Sequence, residues 1–593
     1  MTDKRLNIME GIEKGISPSY LGAFNKIYGL DISIVPGVAI PQWELNVVQP
    51  FDGTEGLTAQ TITVDTGTDE IISTNPINNY YVHGTSVRFT TTGTLPAGLA
   101  INTTYYVDLQ STYRLKVANS IYNLGAGTFI DITDAGTGTH TMTPEIMQEA
   151  KQIIDIGSDR FFLVTLDDKL WYNTYAVNGG RQWVRVTGHA SGAFYGLAFW
   201  KNYLFCFHND DIDILGPISG GELNGASWDN GRLSFEADSL GGKPSIIMSN
   251  DVLYIGDGRY VASLTETPDD TFDPIDGTSY TWLNNALDLP ANETVKSLEQ
   301  LGSLMMIGTG GADGKGRIYS WDTFSPSFFE PLKTGLTQVR DTVVVDNILY
   351  FRDSYFGDIY ATNGTSIQKV IDFYKSALNT QQYYNANPIT TYVNSTIAMG
   401  DKILFGIGGQ TNRGAGIWSY NTKTQALVLE YPLNSQIETS TSSYVYAMCK
   451  RSAIDFWVSC WDGGKSGNYR YSMQAINYYA PGNQDAYDKL TSSYFETGLM
   501  TVGDKYQPTT YRFFEIQLGK ELASGEAVTL YYRNNLTDSY TSIGSVSYTN
   551  DGAVHSKIIE NSAVQGDQIQ FKCLITCGSS ATTGPELKAI YIY

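Results

Sequence analysis

At 593 residues the chain is several times an ordinary domain, and its 61 Asp and Glu against 39 Lys and Arg leave a net charge of −22. That balance repels phosphate backbones and argues against wrapping or sequence reading of nucleic acid. Only 17% of residues are charged while Gly (59) and Tyr (41) are plentiful, a composition that suits a β-rich protein with many turns. The five cysteines lack metal-ligand spacing and fit reduced thiols rather than a disulfide framework. The start has no apolar core of signal-peptide length and no window approaches an uninterrupted membrane-span run, so neither secretion by that route nor a membrane span is expected.

In chain order, residues 1–50 include "YGLDISIVPGVAIPQWELNVV", which has the look of propeller strands and is expected to contribute them to the main body. Residues 51–144 are Thr- and Gly-rich and contain no copy of the unit that follows. They read as an inserted small β domain on a surface loop, because loops tolerate insertions whose ends lie close together.

From 145 to 485 one unit recurs: apolar strand, tight turn, apolar strand, Gly-rich loop, then a strand with an early aromatic. The inner turns fall at Ser158-Asp159, Lys201-Asn202, Asn250-Asp251, Leu301-Gly302, Asp346-Asn347, Gly400-Asp401 and Arg451-Ser452, in steps of 43, 49, 51, 45, 54 and 51 residues. That period is close to the ~40–50 residues of a propeller blade. The third strands "GRYVAS", "GRIYSW", "GDIYAT" and "AGIWSY" align on one another, placing Tyr319, Tyr360 and Trp418 at matching positions. Six or seven four-stranded blades are predicted. Helical spacing occurs only in "PEIMQEAKQII" (144–154) and "SIQKVIDFYKSAL" (366–378), both expected to be peripheral, with strands as the open alternative. Residues 486–593 form a last strand series, "YRFFEIQL", "AVTLYYRNN", "IQFKCLIT" and "LKAIYIY", expected to be a C-terminal β-sandwich.

The fold class expected is therefore all-β: a six- or seven-bladed β-propeller with an inserted small β domain and a C-terminal β-sandwich. Chemistry-bearing motifs are not evident. "GTGGADGKG" (308–316) leads into a strand, not the helix that a phosphate-cradling loop requires, and reads as a hairpin. "SWDNGRLSF" (227–235) approaches a sialidase-type Asp-box turn with its aromatic displaced by one place, and reads as a structural turn. The histidines His83, His140, His189, His208 and His555 are scattered singly. No catalytic, cofactor-binding or metal residue is nominated, and no enzyme activity or cofactor is expected. Paired tyrosines beside Asn and Gln, at 80–81, 105–106, 383–384 and 478–479, could bind sugars or neighbouring subunits.

"GTSVRFTTTGTLPAGLAINTTYYV" followed by "DITDAGTGTHT" resembles a small module recurrent in otherwise unrelated bacteriophage tail and virion proteins, over about one sixth of the chain. The remainder is similar, in architecture only, to the propeller-plus-sandwich nozzle, hub and DNA-stabilising proteins of short-tailed phages, through "SIVPGVAI" and "VTLYYRNN"; the insertion departs from that pattern. The resemblance implies a virion tail protein without bond chemistry, made in the host cytoplasm. Such a protein would form a ring, expected to be a hexamer of identical copies, docked to neighbouring tail and adaptor proteins around a channel through which genome DNA passes without specific binding. The alternatives are a receptor- or glycan-binding tail adhesin contacting a host-surface glycan, and a propeller glycosidase acting on host surface polysaccharide.

Overall fold

The computed structural model describes the chain apart from residues 1–5, 10–23, 29, 32–37, 42–45, 48–57, 78–80, 82–83, 121–122, 125, 146, 158–159, 176–180, 190–191, 209–210, 219–222, 224–225, 237–244, 268–272, 275–278, 353–357, 374–390, 409–414, 434–442, 454, 462–466, 473–491, 502–508, 536–537, 567 and 579–583. Among the described residues the fold is all-β, with a four-residue helix at Tyr548–Asp551.

The body is a propeller-like succession of four-stranded antiparallel units. The first pairs Ala150–Asp155, Phe161–Thr165, Leu170–Tyr175 and Arg181–Val186 in chain order. Units of the same kind follow over 196–234, 246–288, 293–333, 340–371 and 396–432. A seventh group joins Tyr444–Lys450, Asp455–Trp461 and Gly467–Ser472 to Asn46–Val47, so its outermost strand comes from the start of the chain.

Local chemistry sets the hairpins. Lys201-Asn202, Asn250-Asp251 and Asp346-Asn347 hold both turn residues at positive φ, between 47° and 68°. This is the backbone of the tight two-residue hairpin whose twist matches the strands, and Asn and Asp tolerate it best among residues with a Cβ. The second strands are covered on both faces, so Phe161–Thr165 and Tyr203–Phe207 are buried throughout and read as unbroken apolar runs.

Successive units pack face to face. Phe205, Ile212 and Ile214 meet Leu253 and Ile255 between the second and third units. Tyr254 and Val261 meet Met305, Tyr319 and Trp321 between the third and fourth. Trp457 of the last group lies edge-on to Phe161 (5.2 Å) and Trp183 (5.9 Å) of the first, sealing the circle. The matched third-strand aromatics share one orientation: Tyr319 packs toward the third unit, Tyr360 toward the fourth and Trp418 toward the fifth, each the unit before its own.

Close approach explains a recurring glycine on the second strands. A Cβ at Gly256 would lie 2.5 Å from Val295, at Gly308 2.7 Å from Val339, and at Gly406 2.5 Å from Val445, each a residue of the following unit. In the fifth unit a different device serves: Arg352, almost fully buried, donates from Nε to Asp341 (2.9 Å) and from Nη1 to the carbonyl of Gly406 (3.1 Å) in the sixth.

Two segments with helical spacing take their strand alternative, and a third, expected as a turn, is a strand. Residues 366–378 place Ile367, Val370 and Ile371 at helical spacing, but Ile367–Ile371 is the outer strand of the fifth unit; Ala150–Asp155 is likewise an inner strand. Tertiary pairing overrides the weak local preference in both. Ser227–Ser234, expected as a turn, is an eight-residue outer strand; its irregularity is a register shift opposite Ile212/Ile214, with Gly231 at φ 64°.

Six strands between Gln60–Asp65 and His140–Pro144 close into a barrel. The C-terminal strands form two sheets, and strand pairing runs across positions 485 and 486. Leu427–Pro432 of the sixth unit pairs with Phe24–Tyr28, which pairs with Ser492–Thr497 and so leads into Gln568–Thr576, Ala527–Arg533 and Thr541–Ser547. The other sheet orders Leu6–Asn7, Leu587–Ile592, Thr509–Leu518 and Ser556–Gly566. Phe514, Ile516, Val528, Leu530, Phe571 and Ile590 from the two sheets share one core.

Candidate functional site

The innermost strands of successive units pack on one another, and several are irregular at their starting ends. Register shifts leave Lys151 as the extra residue between Ala150 and Gln152, Lys296 between Val295 and Ser297, and Tyr446 between Val445 and Ala447; a wider shift spans Arg340 to Val343. A bulge takes a residue out of the alternating pattern and re-aims its side chain. Here the re-aimed residues collect at one end of the ring, its inner mouth.

Aromatic rings converge there. Tyr392 lies 4.8 Å from Tyr446 and 5.9 Å from Tyr444, at steep interplanar angles of 66° and 87°. Tyr444 also lies 6.1 Å from Trp461. All four are half-buried. Burial, then the neighbouring Tyr392 and Glu149, push the Tyr446 phenol well above its ordinary range, so it stays protonated. Beside them Arg340 donates from Nη2 to the carbonyl of Thr391 (3.2 Å), and Asn394 donates to the carbonyl of Lys151 (3.1 Å). Lys151 pairs with Asp168. Lys296 is half-buried, and burial and the adjacent Arg340 together hold its ammonium below the usual lysine range. The mouth can therefore offer cationic and phenolic hydrogen-bond donors beside apolar ring faces.

The opposite end is different. Burial raises the Glu299 carboxyl to about 7, and burial followed by Asp155 raises the Cys449 thiol to about 12, so that thiol is inert.

The scattered histidines have structural surroundings where they are described. His140 bonds to Thr91 Oγ1 (2.9 Å) and the Ala135 carbonyl (3.0 Å), tying the barrel's last strand to its neighbours. His208 lies 3.1 Å from the Asp213 carboxylate, with Phe194 at 4.9 Å and His189 at 6.4 Å. Cys206 sits opposite Asp213 in the same ladder, but burial and that carboxylate hold its thiol far above the range in which it would be a nucleophile. His555 is exposed near Glu521, and His83 lies outside the described residues.

The 308–316 segment is the end of the strand Leu304–Gly311 and the hairpin loop that leads into Arg317–Trp321, braced by Arg317 on Asp313 (2.7 Å) and Glu293 (2.5 Å). Among the described residues no His, Cys, Asp and Glu group is arranged to hold a metal ion, and no helix is long and apolar enough to cross a membrane.

Of the paired tyrosines, Tyr105 and Tyr106 are buried. Tyr105 Oη accepts from the Ala100 amide (2.8 Å), and Tyr106 donates to the Arg185 carbonyl (2.6 Å). Tyr81 is buried and donates to the Thr58 carbonyl (2.8 Å), while Tyr80 and the pairs at 383–384 and 478–479 lie outside the described residues. The tyrosines that do gather, Tyr392, Tyr444 and Tyr446, are not adjacent pairs. The sequence signal for Tyr444 and Tyr446 is the Tyr-Val-Tyr alternation at the start of an inner strand.

The barrel docks on the first unit through charge. Glu145, 5% exposed, binds Arg185 of the first unit and Arg88 of the barrel (2.7 Å) and accepts from Thr104 (3.2 Å).

No family model matches the chain, and no curated protein is found to be similar. Solved structures resemble it at low identity. The WD40 β-propeller domain of Doa1 is 12% identical, over 55% of this chain and 93% of that one, with a TM-score of 0.33. The WD40 domain of Neurospora crassa Pan2 is 10% identical, over 56% and 90%, at 0.34. YCF48 bound to D1 peptide is 14% identical, over 55% and 94%, at 0.37.

Proposed function

We propose that the chain is a non-enzymatic structural subunit of a bacteriophage tail, a seven-bladed propeller carrying an inserted barrel and a two-sheet C-terminal sandwich. Copies of it assemble into a closed ring around the DNA path. The observation that carries the reading is the way segments far apart in the sequence are tied together. Asn46–Val47 completes the last unit, Phe24–Tyr28 bridges the sixth unit to the C-terminal sheet, and Leu6–Asn7 pairs with the final strand, Leu587–Ile592. A body whose distant segments are stitched together by strand pairing resists being pulled apart, which suits a part loaded by neighbours. The resemblance of residues 84–107 and 131–141 to a phage tail module supports the same reading.

Closed symmetry is the common solution for repeated subunit contacts, and a surplus of 22 acids per subunit suits a wall along which DNA moves without adhering. The test is cryo-EM of the intact particle: a ring of this chain on the tail axis is expected, with neighbouring tail and adaptor proteins above and below. Finding it as a peripheral fibre or tip would overturn the reading in favour of an adhesin.

A further inference from the structure

The face that the first unit turns toward the last carries polar groups that the fold leaves unpaired. Trp171, Asn173, Trp183 and Arg185 share that face, Trp171 opposite Arg185 and Asn173 opposite Trp183 across one strand pair. Residues opposite one another in such a pair stand about 5 Å apart, and those two positions along a strand about 7 Å. The indole Nε1 of Trp171 and of Trp183, Arg185 Nε and Asn173 Oδ1 are buried and make no hydrogen bond among the described residues. Trp171, Asn173 and Trp183 are at most 3% exposed. An N–H buried without an acceptor costs free energy that a bound acceptor recovers. Charge decides which acceptor. Arg185 and Arg88 share one carboxylate, Glu145, so the barrel dock beside this patch holds two cations and one anion. The other charged groups around the seam are paired or distant. Lys151 pairs with Asp168, Lys169 with Asp167 and Arg451 with Asp455. Glu149 precedes and Asp155 ends the inner strand Ala150–Asp155, which two strands separate from Arg181–Val186.

We propose that this seam binds a chloride ion, held by the indole N–H groups of Trp171 and Trp183 and by the Arg185 Nε–H, with the Asn173 amide turned to present its own N–H. A monoatomic anion is selected because the rings around it pack closely, Trp457 lying 5.2 Å from Phe161 and 5.9 Å from Trp183. A water molecule would pair the donors but leave the second cation of the dock unbalanced, whereas one anion answers both needs. The barrel, the first unit and the last unit meet here, so the ion tightens barrel docking and ring closure together. This binding site is separate from the structural role, and it stands or falls independently of where the chain sits in a particle.

The experiment uses the full chain and follows chlorine NMR line width and melting temperature while chloride replaces fluoride at constant ionic strength. The protein should broaden the chloride line, bromide should reverse the broadening by competition, and the melting temperature should rise with the logarithm of chloride concentration, as binding to the folded state requires. Trp171→Phe and Trp183→Phe keep an aromatic ring in place and remove one N–H each, and each should weaken the apparent affinity about tenfold. Arg88→Gln removes the surplus cation from a partly exposed position and should weaken it likewise, whereas a water site would not respond; it also serves if a tryptophan variant melts early. Trp282→Phe is the control, because that indole already donates to the Ser234 carbonyl (3.1 Å), and it should leave the affinity unchanged. Absence of broadening by the folded wild type, or unchanged affinity in a folded Trp183→Phe or Arg88→Gln, overturns the site. Sulfate competing as well as bromide overturns the assignment to a monoatomic anion.

Discussion

Glu145→Ala should loosen the barrel from the first unit. The Glu145 carboxylate is 5% exposed and faces two guanidiniums, Arg185 at 13% and Arg88 at 36% side-chain exposure. Removing it leaves Arg185 buried without its counter-charge, the situation that typically costs ~3–5 kcal/mol. Arg88 can turn to water, so the lower end, ~3 kcal/mol, is expected here. The cost should fall on docking, because the barrel's own core of Ile62, Phe89, Val107 and Met142 is untouched. Hydrogen exchange followed by mass spectrometry separates the two: amides around Tyr106 and Arg185 should exchange faster while those of Gln60–Asp65 keep their protection. A double variant, Glu145→Leu with Arg185→Met, should recover most of the loss, since well-packed apolar partners often replace a buried ion pair without penalty. Unchanged exchange at the contact in Glu145→Ala, or a double variant worse than either single, would refute the reasoning.

Glu299 is raised by burial from 4.5 to about 7. Its ionisation therefore costs nothing below the ordinary value, and the cost grows as pH rises through the interval to about 3 kcal/mol above it, at ~1.4 kcal/mol per pKa unit. Glu299→Gln should accordingly melt near wild type at pH 5 and a few degrees higher at pH 8; a gap that shrinks with pH contradicts this. Gly406→Ala drives a methyl group to 2.5 Å from Val445 and should destabilise the sixth-to-seventh seam by ~1–3 kcal/mol in urea unfolding, with an unchanged midpoint as the contrary result. Replacing residues 51–144 by a short Gly-Ser linker should leave the remaining chain cooperatively folded, because loop closure depends only weakly on length. Loss of a cooperative melt or of solubility counts against that boundary.

What was legible in the sequence was local. Lys201-Asn202, Asn250-Asp251 and Asp346-Asn347 announce their turns because few residues accept positive φ, and a fixed distance between turns fixes the unit. Tyr319, Tyr360 and Trp418 could be stacked for the same reason. What was not legible depends on distant pairing. That residues 1–50 supply strands to the propeller body was expected, but not that Asn46–Val47 would close the last unit: two residues carry no pattern of their own, and the partner, Gly467–Ser472, lies more than four hundred positions later. Ile367, Val370 and Ile371 satisfy a helix and an outer strand equally well until the neighbouring strand is present. Bulges at Lys151, Lys296 and Tyr446 are invisible for a related reason: a register shift is a property of two strands, so no single-strand reading distinguishes Tyr446 from Tyr444. The charged dock at Glu145 was hidden likewise, since its partners Arg88 and Arg185 are separated from it by 57 and 40 positions.

The place of the barrel follows from these same connections. It interrupts the chain between Asn46–Val47, the outer strand that completes the last unit, and Ala150–Asp155, the inner strand that opens the first. Every other pair of neighbouring units is joined by a continuous outer-to-inner connection, and here the barrel is that connection. An insertion at this point adds nothing inside a sheet and leaves every four-stranded unit intact. Its cost is a longer closure at the one seam that must bring the chain's start to its seventh unit. That seam is also where Trp457 packs on Phe161 and Trp183, where Ser459 Oγ accepts from the Ala150 amide (2.7 Å), and where Glu145 anchors the barrel beside Arg185. Apolar sealing and a buried ion pair thus sit at the junction where the longer connection would otherwise weaken ring closure.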